Sequence, residues 1–205
     1  ETGIRIIGPN CQGINYIPNK LCASWPLITL EGSMAVISQS GTVAATIAGW
    51  AEEEGWGIST AVSLGNQIDV NETDLINALA GDDNIKSIAL YLEGAKDGRK
   101  FLAASENLIA NKPLIVLKSG RTAGGQRAAA SHTKSLAGRD EIFDAACRQT
   151  GVVRANDIES LYDMSKALAS LQVSGGNRLM VITSSGGSGI LAVDNAEKHG
   201  LSVPT

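Results

Sequence analysis

The sequence predicts an α/β protein in which helices cover both faces of a doubly wound parallel sheet. From Met34 onward, short apolar runs alternate with longer segments of helical period, as expected of strands joined by crossover helices. Capping residues and glycines stand at the boundaries of the helical segments. Five strands with helices between them make one domain of this class, which we place at residues 33–173.

The predicted elements follow one another in a regular order. The strand candidates are residues 34–38, 57–65, 86–94, 113–120 and 151–155. A first helix is predicted from Thr42 to Gly55, and a second follows Asn71 as its cap and stops at Gly81. Three more helices are predicted within residues 97–111, 139–151 and 157–171.

The two ends of the chain do not belong to this domain. Residues 1–32 carry a single strand candidate, residues 4–8, followed by an irregular proline-containing stretch, so we expect the exit of a preceding α/β domain. Residues 173–177 are a linker candidate. Residues 174–205 begin a new strand, turn and helix. Since the chain also has no initiator methionine, the sequence predicts a part of a larger protein.

Composition excludes several classes of function. The net charge of -4 provides no basic surface for nucleic acid or an anionic membrane, and no apolar run reaches the roughly 18 residues of a membrane span. The three cysteines, Cys11, Cys22 and Cys147, are an odd number without paired spacing, which predicts neither a disulfide framework nor a zinc or other metal site. We expect a protein of the reducing cytoplasm.

An internal repeat predicts two anion-binding turns. "VISQSGTVAATIA" (36–48) and "VITSSGGSGILAV" (181–193) each read as a strand, then serine and glycine, then a helix. Free amides at a helix start suit a phosphoryl group. The candidate phosphate-binding residues are Ser40, Gly41, Thr42, Ser185, Gly186, Gly187 and Ser188. Each turn alone also fits an ordinary capped βα turn, and neither is a P-loop, because no lysine follows the glycines.

His132 lies in "SGRTAGGQRAAASHTKSLAG", which we interpret as a long loop between the strand 113–120 and the helix near Arg139. Loops at strand C-termini are where doubly wound folds place their ligands. A single histidine in a loop is often solvent-exposed and without function, and no second histidine stands near enough to share a metal.

Glu93 ends the neighbouring strand, on the same edge as this loop. A carboxylate there would hold one imidazole nitrogen and leave the other free to attack phosphorus. The alternative is a capping or solvated glutamate. Lys118, Arg121 and Arg127 either hold phosphate oxygens or solvate the loop.

Several motifs together resemble the NDP-forming acyl-CoA synthetases, which include ADP-forming acetyl-CoA synthetases and, more distantly, the succinyl-CoA synthetase α subunit. The matching stretches are "RIIGPNCQGIN", "VISQSGTVA", "SLGNQIDV", "YLEGAKDGRKF", "KSGRTAGGQRAAASHTKSLAG", "TGVVRANDIESLYD" and "VITSSGGSGILAVD". The resemblance implies a flavodoxin-like domain at 33–173, the end of a CoA-binding Rossmann-like domain at 1–32, and the start of a second flavodoxin-like domain at 174–205.

The resemblance also implies a mechanism. Acyl-CoA and phosphate give acyl phosphate and CoA, after which a histidine takes the phosphoryl group and passes it to ADP. His132 occupies the phosphohistidine position, Glu93 matches the carboxylate that holds it, and the two glycine turns match the helices around it. Asn10 and Cys11 lie where the CoA thiol is expected. ADP or ATP with Mg²⁺ is expected on an ATP-grasp domain or subunit, with homo- and hetero-oligomers both open.

Two departures from the family pattern bear on the substrate and the site. Ala45 stands about where succinyl-CoA synthetases have a tyrosine that meets the substrate, which argues against succinate. Lys134 replaces a glycine that is usual in the ADP-forming enzymes.

Two other functions compete with catalysis. A non-catalytic CoA or acyl-CoA sensor within a larger regulator, such as a fused protein acetyltransferase, is expected to lack the histidine. A response module needs an aspartate phosphoacceptor at the end of its first strand, where "VISQSG" has no carboxylate.

Overall fold

The predicted parallel sheet is confirmed in a computed structural model, which describes residues 3–25, 28–133, 139–171 and 175–204, without the side chains of 129–133. Its strands are β1 (Gly13–Tyr16), β2 (Leu21–Ser24), β3 (Glu31–Ser38), β4 (Ile58–Ser63), β5 (Ser87–Leu92), β6 (Leu114–Lys118) and β7 (Val153–Arg154). Their order in the sheet is β2-β1-β4-β3-β5-β6-β7. Strands β3 to β7 run parallel, and the hairpin β1–β2 adds an antiparallel edge beside β4.

The chain divides into two compact units, Glu1–Leu171 and Gln172–Thr205. The helices of the first unit are α1 (Gly41–Glu53), α2 (Glu72–Ala80), α3 (Gly98–Ile109), α4 (Ala123–Thr133), α5 (Asp140–Thr150) and α6 (Ile158–Ser170), and the second unit contains α7 (Gly186–Lys198). A short 3₁₀ helix, Ile17–Asn19, joins the two strands of the hairpin. Among the helices described, none is long and apolar enough to cross a membrane.

Alternating side chains of the central strands build two hydrophobic cores, one on each face of the sheet. Ile37 and Leu90 pack with α2, α3 and α5, whereas their chain neighbours Val36 and Ala89 pack with α1 and α6. The Asn71 cap predicted for α2 is confirmed as a full capping box, because its side chain accepts from Asp74 while Asp74 accepts from the Asn71 amide.

The strand predicted at residues 4–8 is wrong. This segment runs beside the loop that follows β4, where the carbonyl groups of Ile6, Gly8 and Pro9 accept bonds from three amides of residues 66–70. The strands at this end are instead β1 and β2, which join the sheet of the first unit. Four-residue strands beside prolines give too short an apolar pattern to be recognised. The domain boundaries at residues 32 and 173 stay predictions.

The loop predicted around His132 is also wrong over residues 123–133, which form α4. Thr122 begins this helix, because its hydroxyl accepts from the amide of Gly125 at 3.1 Å and its carbonyl accepts from Gln126 at 2.8 Å. Alanine, glutamine and arginine favour helix strongly enough to outweigh Gly124 and Gly125. Residues 134–138, with Lys134, lie outside the described residues.

In the second unit the helix is present, but the predicted strand is reduced to one parallel bridge, Arg178 with Ser202. A strand needs a neighbour to pair with, and the described residues of this unit offer only the short segment after α7. The amide of Leu179 donates to Ser202 at 2.8 Å, and the amide of Ser202 donates to Asn177 at 2.7 Å.

Cys147 on α5 is expected to make the first unit less stable at alkaline pH. Its surface is 2% exposed, and burial raises the pKa of its thiol from 9.0 to about 11. Because the folded state holds this proton more tightly, its contribution to stability is present below pH 9 and lost as the pH rises through 11. We expect the free energy of unfolding, measured by urea denaturation at each pH, to fall by up to about 2–3 kcal/mol over this range.

Cys147→Ala is the control for this pH effect. The variant should lose stability less steeply between pH 9 and 11, since it has no thiol to ionise. A residual slope is expected in both proteins from Tyr162, whose pKa is raised by burial and by Glu54. Identical slopes in the two proteins would contradict the assignment to Cys147.

Candidate active site

The N-terminus of α1 lies at the edge of the sheet where β3 ends. Ser40 has extended backbone, and its hydroxyl accepts a hydrogen bond from the amide of Val43 at 3.5 Å. The hydroxyls of Ser40 and Thr42 are 3.0 Å apart. The first amides of a helix have no acceptor within it, so this end carries a partial positive charge that suits an anion.

Glu93 is at the same edge, because it directly follows β5 and β5 is the strand next to β3. Only 8% of the residue is exposed. A carboxylate at this edge of the sheet can hold a neutral or protonated imidazole. The structure therefore brings Glu93 and the candidate phosphate-binding turn at Ser40 to the same edge of the sheet.

Gln39 joins these two features. Its side-chain oxygen accepts from the amides of Glu93 and Gly94, the latter at 3.2 Å, and its side-chain nitrogen donates to the carbonyl of Gly94 at 2.8 Å. Its own amide donates to Tyr91 at 3.2 Å. One residue immediately before the cap of α1 thus binds the turn that carries Glu93.

The segment with Asn10 and Cys11 reaches this edge from the other side. Asn10 has a left-handed backbone, and its side-chain amide lies 3.4 Å from that of Asn66 in the loop after β4. Gln12 lies against the start of α1, since a Cβ added to Gly41 would be 2.7 Å from its Cγ. The residues suggested for CoA contact therefore lie near the candidate phosphate-binding turn.

The basic residues near the end of β6 have different surroundings. Lys118 is 3% exposed, and burial lowers the pKa of its ammonium group, although Asp140 opposes this. Its Nζ donates to the carbonyl of Ser119 at 3.0 Å. Arg121 donates to Asp140 at 3.4 Å and to Asn156 at 3.1 Å. These contacts favour a structural role for Arg121 over phosphate binding.

Arg154 fixes the start of α5 to the sheet. Its guanidinium contacts Asp140 at 2.8 Å and Asp144 at 3.1 Å, and its side chain is 12% exposed. Burial opposes ionisation of Asp140, but the bonds from Arg154 outweigh it and lower the pKa of that carboxyl. The ion pairs hold the helix that follows residues 134–138.

His132 belongs to α4 by its backbone, and its side chain lies outside the described part of the structure. The turn before this helix starts beside Glu93, because the amide of Ser119 donates to Leu92 at 2.9 Å. A contact between His132 and Glu93 stays a prediction, as does the role of Lys134.

The second turn of the internal repeat has the same local structure as the first. Ser185 caps α7 by accepting from the amide of Ser188 at 3.4 Å. Thr183 accepts from the amide of Ser185 at 3.0 Å, just as Ser38 accepts from the amide of Ser40 at 3.1 Å. The repeat is therefore one of backbone geometry as well as sequence. A joint anion site of the two helices stays a prediction.

A comparison with protein families decides where this arrangement belongs. The family model described as "Succinyl-CoA ligase like flavodoxin domain" matches residues 31–168, which hold the sheet from β3 to β7, helices α1 to α5 and most of α6. The chain belongs to this family. Its flavodoxin-like fold places the turn at Ser40, the carboxylate of Glu93 and the helix α4 in one succinyl-CoA ligase-like domain.

The relatives that this chain matches are longer proteins that are named as ligases. The chain is 44% identical to "Acetate--CoA ligase [ADP-forming] I subunit alpha" of Pyrococcus furiosus, over 97% of this chain and 43% of the relative. It is 40% identical to "Acetate--CoA ligase [ADP-forming]" of Methanocaldococcus jannaschii, over 97% of this chain and 28% of the relative. The chain thus spans less than half the length of these curated relatives.

A solved structure agrees with the sequence comparison. The "dinucleotide forming Acetyl-coenzyme A synthetase 1" of Ca. Korarchaeum cryptofilum, solved in complex with phosphate and ADP, superimposes with a TM-score of 0.92 at 39% identity. The match covers 98% of this chain and 44% of that one. The flavodoxin-like architecture predicted from the motifs is therefore confirmed.

Sequence reasoning missed Gln39 and Gln12 as residues of this edge. Gln39 lies within the quoted "VISQSGTVA", directly before the serine cap. The signal that was available is a polar residue between the last buried position of a strand and a helix cap, where its side chain is free to bind a neighbouring turn.

Proposed function

We propose that this chain is the histidine-bearing part of an NDP-forming acyl-CoA synthetase, an acid–thiol ligase. The reaction would interconvert acyl-CoA, ADP and phosphate with a carboxylic acid, CoA and ATP. Phosphate attacks the thioester carbonyl and releases CoA as the thiol. The imidazole of His132 then attacks the phosphorus of the acyl phosphate and releases the acid as its carboxylate. An ADP oxygen finally takes the phosphoryl group and frees the histidine.

The single observation that carries this proposal is the hydrogen bonding between the Glu93 turn and the residue before the cap of α1, at one edge of the sheet. Glu93 and the cap of α1 follow neighbouring parallel strands, and the side chain of Gln39, one residue before that cap, binds the backbone of Glu93 and Gly94. A dianion at a helix start and a carboxylate that orients an imidazole are the two groups needed to move a phosphoryl group through histidine.

The residues at this edge fit phosphate and the thiol end of CoA. Because Gly41 has no side chain, Gln12 packs directly against the start of α1, where an added Cβ would lie 2.7 Å from its Cγ. Ser40 and Thr42 add hydroxyl donors beside the first amides of α1. In this proposal, Asn10 and Cys11 contact CoA, and Ser185 to Ser188 contribute the second turn.

Nucleotide and Mg²⁺ are assigned to an ATP-grasp domain or subunit. Within the described residues no group of three or more histidine, cysteine, aspartate or glutamate side chains is placed to hold a metal ion. Mg²⁺ would neutralise charge on the phosphates of the bound nucleotide. The relatives named as α subunits support an association of this kind. We place the protein in the cytoplasm, with three unpaired cysteines in its sequence.

A small monocarboxylic acid is the proposed substrate. A narrow pocket beside α1 is lined by Ala44, Ala45, Ala48 and Ser63, with Trp25 at its side. The alanine side chains leave a space the size of a methyl group, and none of the described residues that line the pocket carries a positive charge to hold a second carboxylate. The name acetate–CoA ligase of the relatives agrees with a short acyl group.

The activity is tested on the full-length protein together with its ATP-grasp module. With acetyl-CoA, phosphate and MgADP, we expect free CoA and ATP to appear in equal amounts, measured with a thiol reagent and with luciferase. Both signals should require phosphate. Binding of CoA by calorimetry without turnover, and without any phosphoprotein, would overturn the proposal in favour of the sensor module.

A further inference from the structure

We propose that Gln39 is the positioning residue that holds Glu93 at a fixed place relative to the N-terminus of α1. The inference rests on the proposed function, because it concerns the two groups that would handle the phosphoryl group. Gln39 touches neither substrate nor the reacting atoms in this assignment. It acts through the turn formed by Glu93 and Gly94.

The three hydrogen bonds that the Gln39 side chain makes to the Glu93 turn require a primary amide. The oxygen of Gln39 accepts from two consecutive amides, those of Glu93 and Gly94, while its nitrogen donates to the carbonyl of Gly94 at 2.8 Å. An amide supplies both an acceptor and a donor in one plane, so it imitates the edge of another strand. These bonds hold the turn after β5 in place beyond the point where backbone pairing with β3 ends.

The other end of the residue is fixed as well. The backbone amide of Gln39 donates to Tyr91 at 3.2 Å, and β3 pairs with β5 up to Ser38 and Tyr91. The next residue is Ser40, which caps α1. Only one peptide bond therefore separates the helix cap, Ser40, from Gln39, which binds the Glu93 turn. The distance between the cap and that turn can change little.

This arrangement has a functional consequence because both groups must meet one phosphorylated imidazole. The carboxylate orients the ring, and the helix start stabilises the phosphoryl oxygens. A displacement of about 1 Å between them costs roughly 100-fold in rate when groups must act together. Without the hydrogen bonds from Gln39, Glu93 would still be present, but its position relative to α1 would vary.

The test is Gln39→Met in the full-length enzyme with its ATP-grasp module. Methionine has similar length and volume and cannot form the three hydrogen bonds. We expect the rate of His132 phosphorylation by MgATP, measured by rapid quench, to fall roughly 10- to 100-fold. The KM for ADP should stay within about twofold, since nucleotide binding lies elsewhere in the proposal.

Asn71→Ala is the matched control, because Asn71 also binds two backbone amides at a helix start, those of Thr73 and Asp74. It should lower the Tm comparably and leave the phosphorylation rate unchanged. Gln39→Asn is a second variant, in which the amide is kept but is one methylene too short, and it should behave as Gln39→Met does.

The outcomes separate this inference from the proposed function. If the unmodified enzyme forms no phosphoprotein, the proposed function itself is overturned. A normal phosphoprotein in the unmodified enzyme, with an equal rate in Gln39→Met, would overturn only the positioning role. Loss of rate in Asn71→Ala to the same extent as in Gln39→Met would show that Gln39 acts through stability alone, and this too would overturn it.

Discussion

Replacing His132 with asparagine is expected to abolish the phosphoprotein intermediate and to lower kcat by more than roughly 10³-fold. The imidazole nitrogen attacks phosphorus with a lone pair, whereas the nitrogen of a carboxamide has its lone pair delocalised into the carbonyl. Asparagine is otherwise polar and of similar size, so α4 should still form. The measurement is acid-labile, base-stable label from ATP in the full-length enzyme.

The chain supplies its own control for this experiment. Its second histidine, His199, is at the C-cap of α7, so His199→Asn makes the same chemical change at a helix end. That variant should take up label at the normal rate, and ADP should discharge the label as ATP. Label that persists in His132→Asn would exclude this histidine as the phosphoryl acceptor.

Replacing Gly65 with alanine is expected to lower the free energy of unfolding by about 3 kcal/mol or more. Gly65 has a φ of +53, where a side chain is strained, and an added Cβ would lie 2.3 Å from the carbonyl oxygens of both Pro9 and Asn10. These are backbone atoms that cannot rotate away. Urea denaturation of the variant measures the loss.

The same substitution should disturb the segment that we assign to CoA. The amides of Asn66 and Ile68 donate to the carbonyls of Pro9 and Gly8, both at 2.9 Å, so relief of the clash separates this segment from the loop. CoA binding, followed by calorimetry, should weaken. Gly49→Ala is the control, since Gly49 is exposed on α1 with no atom within 4 Å of its added Cβ.

The control should change stability in the opposite direction. Alanine is favoured over glycine inside a helix by about 1 kcal/mol, and Gly49→Ala should therefore stabilise the first unit and leave CoA binding unchanged. A Gly65→Ala protein within 1 kcal/mol of the original, with the same affinity for CoA, would contradict the assigned packing.

The sequence predicted the parts of the fold that depend on local pattern. The apolar runs of β3 to β6 stand out because both faces of these strands are buried. The cap at Asn71 and the cap at Ser40 follow from residue type at a helix start. Such features are set by residues within a few positions of one another.

The parts that were missed depend on distant contacts or on competing tendencies. Gln39 reaches the Glu93 turn across 54 positions of sequence, and no local pattern announces such a pair. The hairpin β1–β2 has strands of four residues each, stabilised by pairing with β4. In α4, two glycines suggested a loop, although the residues after them favour helix.

The hairpin also determines how this edge of the protein can move. Gly13 is paired with both Ser24 and Ser63, so the chain directly after Asn10, Cys11 and Gln12 is held between two ladders. Opening that segment requires the loss of main-chain bonds to β4, one of the fully buried strands. Local unfolding occurs in contiguous cooperative units. We therefore expect the thiol end and the phosphate end of the proposed site to fluctuate as one body, with little change in their separation during a catalytic cycle.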